Sequence, residues 1–394
     1  MLLSDIFSSN ITALDNNTTI ITSYIFRDFS RLSTVNLPNA VYIGDMAFYS
    51  CISLAELSLP NVIRVGSRAF GHTAITSLSL LNTICIDTSA FFACTKLSEV
   101  NIPKVRYIGS GAFISCSISS IIVSDLIYIG NYAFSSCSRL SEFNAPNCVR
   151  IDDYAFSNCT NLATVSLDNV KYIGTGVFRS CNALSSVYMP NVVIIDNAFS
   201  NTAITELVLS KLCVINGSAF SNCLSLSFIS LDNVTSVSAG CFSNCTNLTA
   251  AILPKISILP VSMFAYCYSL SSLYIPNVVT IGDYALRNTS ITELILSHCD
   301  SIGANACASC SSLSYIYLED CRSIGGAAFN YCTNLSKVVL LYPSITTISN
   351  NTFNNTRLST ANGSVYVPSF LVDAYKVATN WVSLSARITA YVEE

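Results

Sequence analysis

The sequence predicts a repeat solenoid of about sixteen stacked coils, each holding a short strand and a short helical or 3-10 arc, with a cap at either end. Three observations predict it. An anchor residue recurs every 21 or 22 residues, and a strand-like apolar alternation stands at a fixed distance before each anchor. The composition is also unusual: 51% of the 394 residues are apolar and only 11% are charged. Typical soluble domains carry roughly 25% charge. That balance suits long ladders of stacked apolar, Ser, Thr and Asn side chains.

The anchor is most often the second residue of an Ala-Phe pair. It falls at Phe26, Phe48, Phe70, Phe91, Phe113, Phe134, Phe156, Phe178, Phe199, Phe220, Phe242 and Phe264, then at Leu286, Cys307, Phe329 and Phe353. Every interval is 21 or 22 residues except the last, which is 24. A fixed period of this size is the mark of a stacked repeat. The regularity leaves no place for an inserted domain between about residues 20 and 360. The expected organisation is an N-terminal cap over 1–25, a solenoid over 26–360 and a C-terminal cap over 361–394.

Within a coil the pattern is Leu-x-x-Val-x-Leu-Pro-Asn-Val-x-x-Ile-Gly-x-x-Ala-Phe-x-x-Cys, seen clearly from Leu54 to Phe70. The last three positions of Leu-x-x-Val-x-Leu alternate, as a strand with one buried face does. Pro-Asn ends the strand, because Pro lacks a donor for the ladder and Asn suits a turn. Asp87, Asp152, Asp196 and Asn216 replace the Gly after Ile. These types tolerate left-handed backbone, so a positive-φ turn is expected there. Buried residue types from Ile onward are spaced as in a helical arc. One coil buries too little to offset its ordering entropy, so coils must stack.

The ends differ from the middle. Leu2, Leu3, Ile6, Phe7, Ile11 and Leu14 are expected to cover the first coil. Val365 to Pro368 reads as a last strand, after which Ser369 would N-cap a helix with Leu371, Tyr375, Ala378 and Trp381 or Val382 on one face. No apolar run reaches the roughly 18–20 residues of a membrane-spanning helix. The N-terminus, with Asp5 and no basic stretch, does not read as a secretory signal peptide.

The consensus resembles the BspA-like class of leucine-rich repeats, an α/β-type repeat solenoid. Leu37 to Phe48, Leu59 to Phe70 and Ile275 to Ala285 carry the resemblance most clearly, and it extends over nearly the whole chain. It implies a non-enzymatic interaction scaffold, of the kind found on bacterial and protist surfaces and implicated in adhesion to host proteins or other cells. It also implies a cell-surface or extracellular location. Segment Val367–Lys376 is similar to the closing unit of related proteins from gut bacteria and their phages. The alternative reading is therefore a phage virion protein for host recognition or decoration, which would be virion-associated or cytoplasmic.

Features that suggest chemistry are mostly products of the repeat. Eleven of the eighteen cysteines stand three residues after an anchor, from Cys51 to Cys332, and Thr73, Thr202, Thr289 and Thr356 take the same place elsewhere. A small residue exchanging with Thr once per coil is a buried packing ladder. Disulfides between parallel ladder positions would be strained. Many unbridged thiols therefore favour folding in a reducing compartment. Cys307 and Cys310 have a redox or metal spacing, yet each occupies its ordinary place in the repeat. With only His72 and His298 and no catalytic motif, an enzyme, a metal site and a cofactor are not expected. Glu56, Glu99, Glu142, Glu206 and Glu293 share a column but never stand in adjacent coils. They read as solvated charges.

Binding surface is the remaining signal. One outward column carries Tyr42, Arg64, Tyr107, Tyr128, Arg150 and Tyr172, flanked by Arg106 and Lys171. In later coils it becomes Ile194, Val214, Ser236, Ile258, Thr280 and Ser301. A second set, Tyr188, Phe228, Tyr274, Tyr315 and Tyr317, stands at strand positions expected to face out. Tyr and Arg are enriched in interface hot spots. The expected partner is a protein or a glycan. A net charge of −4 argues against nucleic acid.

Overall fold

The computed structural model describes residues 10–11, 18–360 and 362–392. Apart from the backbone of Ile11, the apolar residues expected to cover the first coil lie outside them. The chain forms two compact units, Met1–Lys211 and Leu212–Glu394. Each is a parallel β-solenoid, and each coil contributes two short strands to it.

The first strand of a coil is the expected one. In the first unit it appears as Thr34–Asn36, Glu56–Ser58, Ser77–Ser79 and so on to Glu206–Val208. Its central side chain is turned inward, as at Val35, Val100 and Val187. Partners pair in parallel with strict register, for example Glu142 with Thr164 and Thr164 with Ser186. The strand stops before the Leu-Pro-Asn corner. There the Asn side chain ties adjacent coils, as when Asn61 Nδ2 donates to the Pro38 carbonyl at 2.8 Å.

A second strand, absent from the sequence reading, lies at the residue pair that ends in the Ile before Gly. In the first unit it forms one sheet of eight strands running in order from Ile20–Ile21 to Tyr172–Ile173. In the second unit a sheet of five such strands runs from Ile258–Leu259 to Thr347–Ile348.

The arc keeps the i→i+3 bonding of a 3-10 segment without becoming a helix. Ala47, Tyr49 and Cys51 donate to carbonyls three residues back, at 3.2 Å each. The alternate residues Met46, Phe48 and Ser50 donate instead to the next coil, at 2.8–2.9 Å. A continuous helix would spend every N–H along its own axis and leave the coils unjoined. Left-handed residues such as Met46 (φ 53°) and Ser50 (φ 59°) make the alternation possible.

This corrects the expectation for Asp87, Asp152, Asp196 and Asn216, none of which has positive φ. The reason for Gly at that place is close approach. A Cβ on Gly109 would lie 2.7 Å from the Asp87 carbonyl carbon and the Thr88 nitrogen of the preceding coil. Left-handed backbone falls two residues later, as at Ser89 and Tyr154.

The anchor rings stack as a ladder. Neighbouring centroids from Phe26 to Phe199 are 5.1–5.7 Å apart, and Phe220, Phe242 and Phe264 continue the pattern within the second unit. Beside them runs the thiol ladder. Its thiols donate to the anchor carbonyl of the preceding coil, as from Cys51 to Phe26 at 3.0 Å and from Cys137 to Phe113 at 3.1 Å. Thr73 donates to its own anchor, Phe70, at 2.9 Å. Thr thus fills the same buried place with a small donor, although its acceptor is its own coil's carbonyl and not the preceding one's.

At the C-terminus, strand Ser364–Val367 is followed by a 3-10 turn at Ser369–Leu371, a six-residue helix Val372–Val377, and a 3-10 helix Val382–Arg387. Two expectations fail here. Ser369 lies inside the 3-10 turn, with Pro368 and then Leu371 at the N-cap places, and one more strand, Ile388–Ala390, pairs beyond Ser364–Val367. Trp381 lies past the helix end, not on a helical face. It is nonetheless buried, edge-on to Tyr375 at 5.3 Å and 5.8 Å from Phe353. Its indole N–H donates to the Thr346 carbonyl at 2.8 Å, and the Thr346 N–H donates to the Tyr375 hydroxyl at 2.7 Å. Together these rings close the apolar end of the ladder.

Candidate ligand-binding face

The eight-stranded sheet of the first unit gives the Tyr/Arg column its geometry. Parallel register aligns Ile20, Tyr42, Arg64, Cys85, Tyr107, Tyr128, Arg150 and Tyr172 strand by strand. The next residue in each strand, from Ile21 to Ile173, is buried, so the column is held against the core by its neighbour. Adjacent members are one strand step apart, about 4.8 Å. Tyr107 and Tyr172 are each 48% exposed, and Tyr42 and Tyr128 are less so.

Two aspartates organise this face. Arg64 Nε contacts Asp87 at 2.8 Å, and Cys85 Sγ donates to the same carboxylate at 3.3 Å. Arg150 Nε contacts Asp152 at 2.7 Å, while the Tyr128 hydroxyl donates to its other oxygen at 2.5 Å. Burial, followed by this bond, pushes the Tyr128 hydroxyl up to about 12. The hydrogen bond to Asp152 raises Arg150, and that to Asp87 raises Arg64. Arg150 also lies 4.6 Å above the Tyr172 ring centroid, a cation–π contact. The Tyr107 and Tyr128 rings stand 6.4 Å apart, tilted by 44°. The result is a row of flat side chains already locked by their neighbours.

Beside the column runs a second row that sequence reasoning identified only at Arg106 and Lys171. Val41, Ile63, Ile84, Arg106, Ile127, Val149 and Lys171 are linked by backbone bonds of 2.8–3.0 Å from coil to coil. Val41, Ile63, Ile84 and Val149 are 36–45% exposed. The signal was present as a branched aliphatic residue just before the Tyr or Arg. Without the second strand there was no reason to place it at the surface. Asp87 and Asp152 were also missed, because their place in the repeat suggested a backbone role.

The second candidate set stands on the first strands of the coils, not on the second-strand sheets. Tyr188 lies on a first-row strand, level with Ser166 and Val208. In the second unit Tyr274 is level with Ile252, while Phe228 is level with Ala250. Tyr315 and Tyr317 share strand Tyr315–Leu318, where the Tyr317 hydroxyl donates to Glu319 at 2.9 Å. The polar continuation of the first column forms its own line there, with Ile258, Thr280, Ser301 and Ser323 in register.

Among the described residues, no three His, Cys, Asp or Glu side chains gather into a group that could hold a metal. No helix among them is long and apolar enough to cross a membrane.

The family model for the BspA-type leucine-rich repeat region matches residues 19–127, 106–227, 192–314 and 260–380. The chain is similar in fold to a leucine-rich repeat protein from Bacteroides ovatus, with a TM-score of 0.66 and 22% identity over 86% of this chain and 94% of that one. It also matches a leucine-rich cell surface protein from Faecalibacterium prausnitzii, at a TM-score of 0.42 and 24% identity over 82% of this chain and 83% of that one. No curated protein sequence matches significantly.

Proposed function

Because the chain belongs to the BspA-type leucine-rich repeat family, we propose that it is a surface-displayed, adhesin-like scaffold that binds a protein ligand without catalysis. The observation that carries the reading is the line of Tyr42, Arg64, Tyr107, Tyr128, Arg150 and Tyr172 on one continuous sheet.

Physical reasoning supports this face over others. Tyr and Arg anchors fixed before binding lose little side-chain entropy when a partner docks. The aliphatic row beside them adds apolar area. Arg106 and Lys171 add positive charge at the flank. An extended partner segment crossing the strands would meet aromatic, cationic and aliphatic surface in parallel rows. Acidic residues on that segment would be favoured.

The test uses the intact chain, labelled and applied to host epithelial cells and to purified extracellular-matrix proteins. Saturable binding is expected, and Tyr107→Ala with Tyr172→Ala should weaken it at least tenfold at an unchanged melting temperature. Equal binding by the double variant would remove this face from the proposal.

A further inference from the structure

The five-stranded sheet that ends in the C-terminal cap carries a second, differently built surface feature. Register places Glu293, Tyr315, Lys337 and Ser364 in one column. Val365 pairs with Ile388, and Arg387, the last residue of the 3-10 helix, immediately precedes that pair. The column two residues along holds Tyr317, Val339, Tyr366 and Thr389. Ser364 thus stands beside Lys337 in register, with Arg387 close by, just ahead of the last strand. Between them opens a hollow of about 460 Å³ lined by Lys337, Arg387, Ser336, Ser364, Tyr366 and Thr389, with Asn362 and Gly363 at its wall.

Among the described residues, no carboxylate lines this hollow. The ion pairs of the second unit, His298–Asp320 and Arg322–Asp300, lie elsewhere. Lys337 Nζ is instead 5.2 Å from the Tyr315 ring centroid and 5.6 Å from that of Tyr366. Ring faces orient an ammonium but do not neutralise it. Neither Lys337 nor Arg387 has a carboxylate partner among the described residues, so the lining carries two uncompensated positive charges, which suits an anion.

We propose that this hollow binds an acidic sugar, a ring bearing a carboxylate or sulfate. Lys337 and Arg387 would hold the acid, since charge-assisted bonds are the strong ones. The Ser and Thr hydroxyls and the Asn362 amide match sugar hydroxyls, and the Tyr366 ring offers an aromatic surface beside them. The hollow is an open surface groove, broad enough for a sugar ring to lie along the lining side chains. An acidic peptide is a poorer match, because the lining offers hydroxyls and an amide where peptide side chains would seek apolar pockets. The site lies in the second unit and does not depend on the Tyr/Arg column.

Calorimetric titration of the full chain at low salt tests it. The probes are glucuronic acid, N-acetylneuraminic acid and N-acetylglucosamine 6-sulfate, against glucose, N-acetylglucosamine, inorganic sulfate and a hexaglutamate peptide. At least one acidic sugar should bind ten times more tightly than its neutral counterpart and than sulfate. The carboxylate and sulfate arms tell which acid is preferred. Lys337→Gln and Arg387→Gln should each weaken that binding at least fivefold without lowering the melting temperature. Equal binding of neutral sugars or sulfate, binding of the peptide alone, no binding of any acidic sugar, or a double variant that binds like the parent would each overturn the proposal.

Discussion

Phe156 lies between the rings of Phe134 and Phe178, at 5.2 and 5.5 Å, with Phe143 edge-on at 4.6 Å. It is fully buried. Truncation there leaves a cavity that two rigid neighbouring coils cannot collapse into, so Phe156→Ala should cost roughly 3–5 kcal/mol in urea melts. A loss under about half a kcal/mol would contradict a stacked core. Surface tyrosines separate by their partners. Tyr107→Ala should be nearly neutral for stability, whereas Tyr128→Ala removes the donor to Asp152 and should cost about 1 kcal/mol. Buried residues were readable in the sequence because recurrence at one place in every coil implies one environment. The side-chain pairs of the face were not. Arg64 reaches Asp87 across 23 residues, and nothing in either residue's own coil signals the contact.

Each coil's first strand could be read because three alternating residues and a following Pro reveal it. The second strand could not, because two residues contain no alternation, and its hydrogen bonds come entirely from neighbouring coils. The arc shows the same limit: its apolar spacing suits a helix, but the inter-coil bonds decide against one. Glycine carries the evidence of close approach at this element. A Cβ at Gly109 would press on the backbone of Asp87 and Thr88 at 2.7 Å, whereas at Gly326 the nearest atom is 3.5 Å away. Neither glycine has a positive φ. Gly109→Ala should therefore lower stability by about 1–3 kcal/mol through forced overpacking, and Gly326→Ala should leave it within about half a kcal/mol. Calorimetric melts of the two variants check this, and equal effects would mean that the approach is readily relieved.

Over the whole chain, the most unusual constituent is the set of eighteen cysteines, none joined in a disulfide. All but Cys85 and Cys213 are buried. A thiol reagent at pH 8 should therefore modify at most those two quickly in the native protein, and all eighteen in guanidinium. Burial pushes the thiols of Cys51, Cys137, Cys148, Cys299 and Cys321 from 9.0 up to about 12. The sign of the consequence follows directly. Below pH 9 both folded and unfolded chains keep these protons, and stability does not depend on them. Above pH 9 the unfolded chain ionises and the folded one does not, so stability is lost progressively up to about pH 12. Each such thiol contributes a slope of about 1.4 kcal/mol per pH unit within that window. Urea midpoints measured with reductant at pH 7.5, 9.0 and 10.5 should hold steady at first and then fall. Cys137→Thr isolates the cause, because Thr fills the same ladder place at Thr73 and its hydroxyl does not titrate. The variant should lose less stability than the parent between pH 9.0 and 10.5. Parallel losses would mean that the ladder's place in the core, and not its thiol chemistry, is all that the repeat requires.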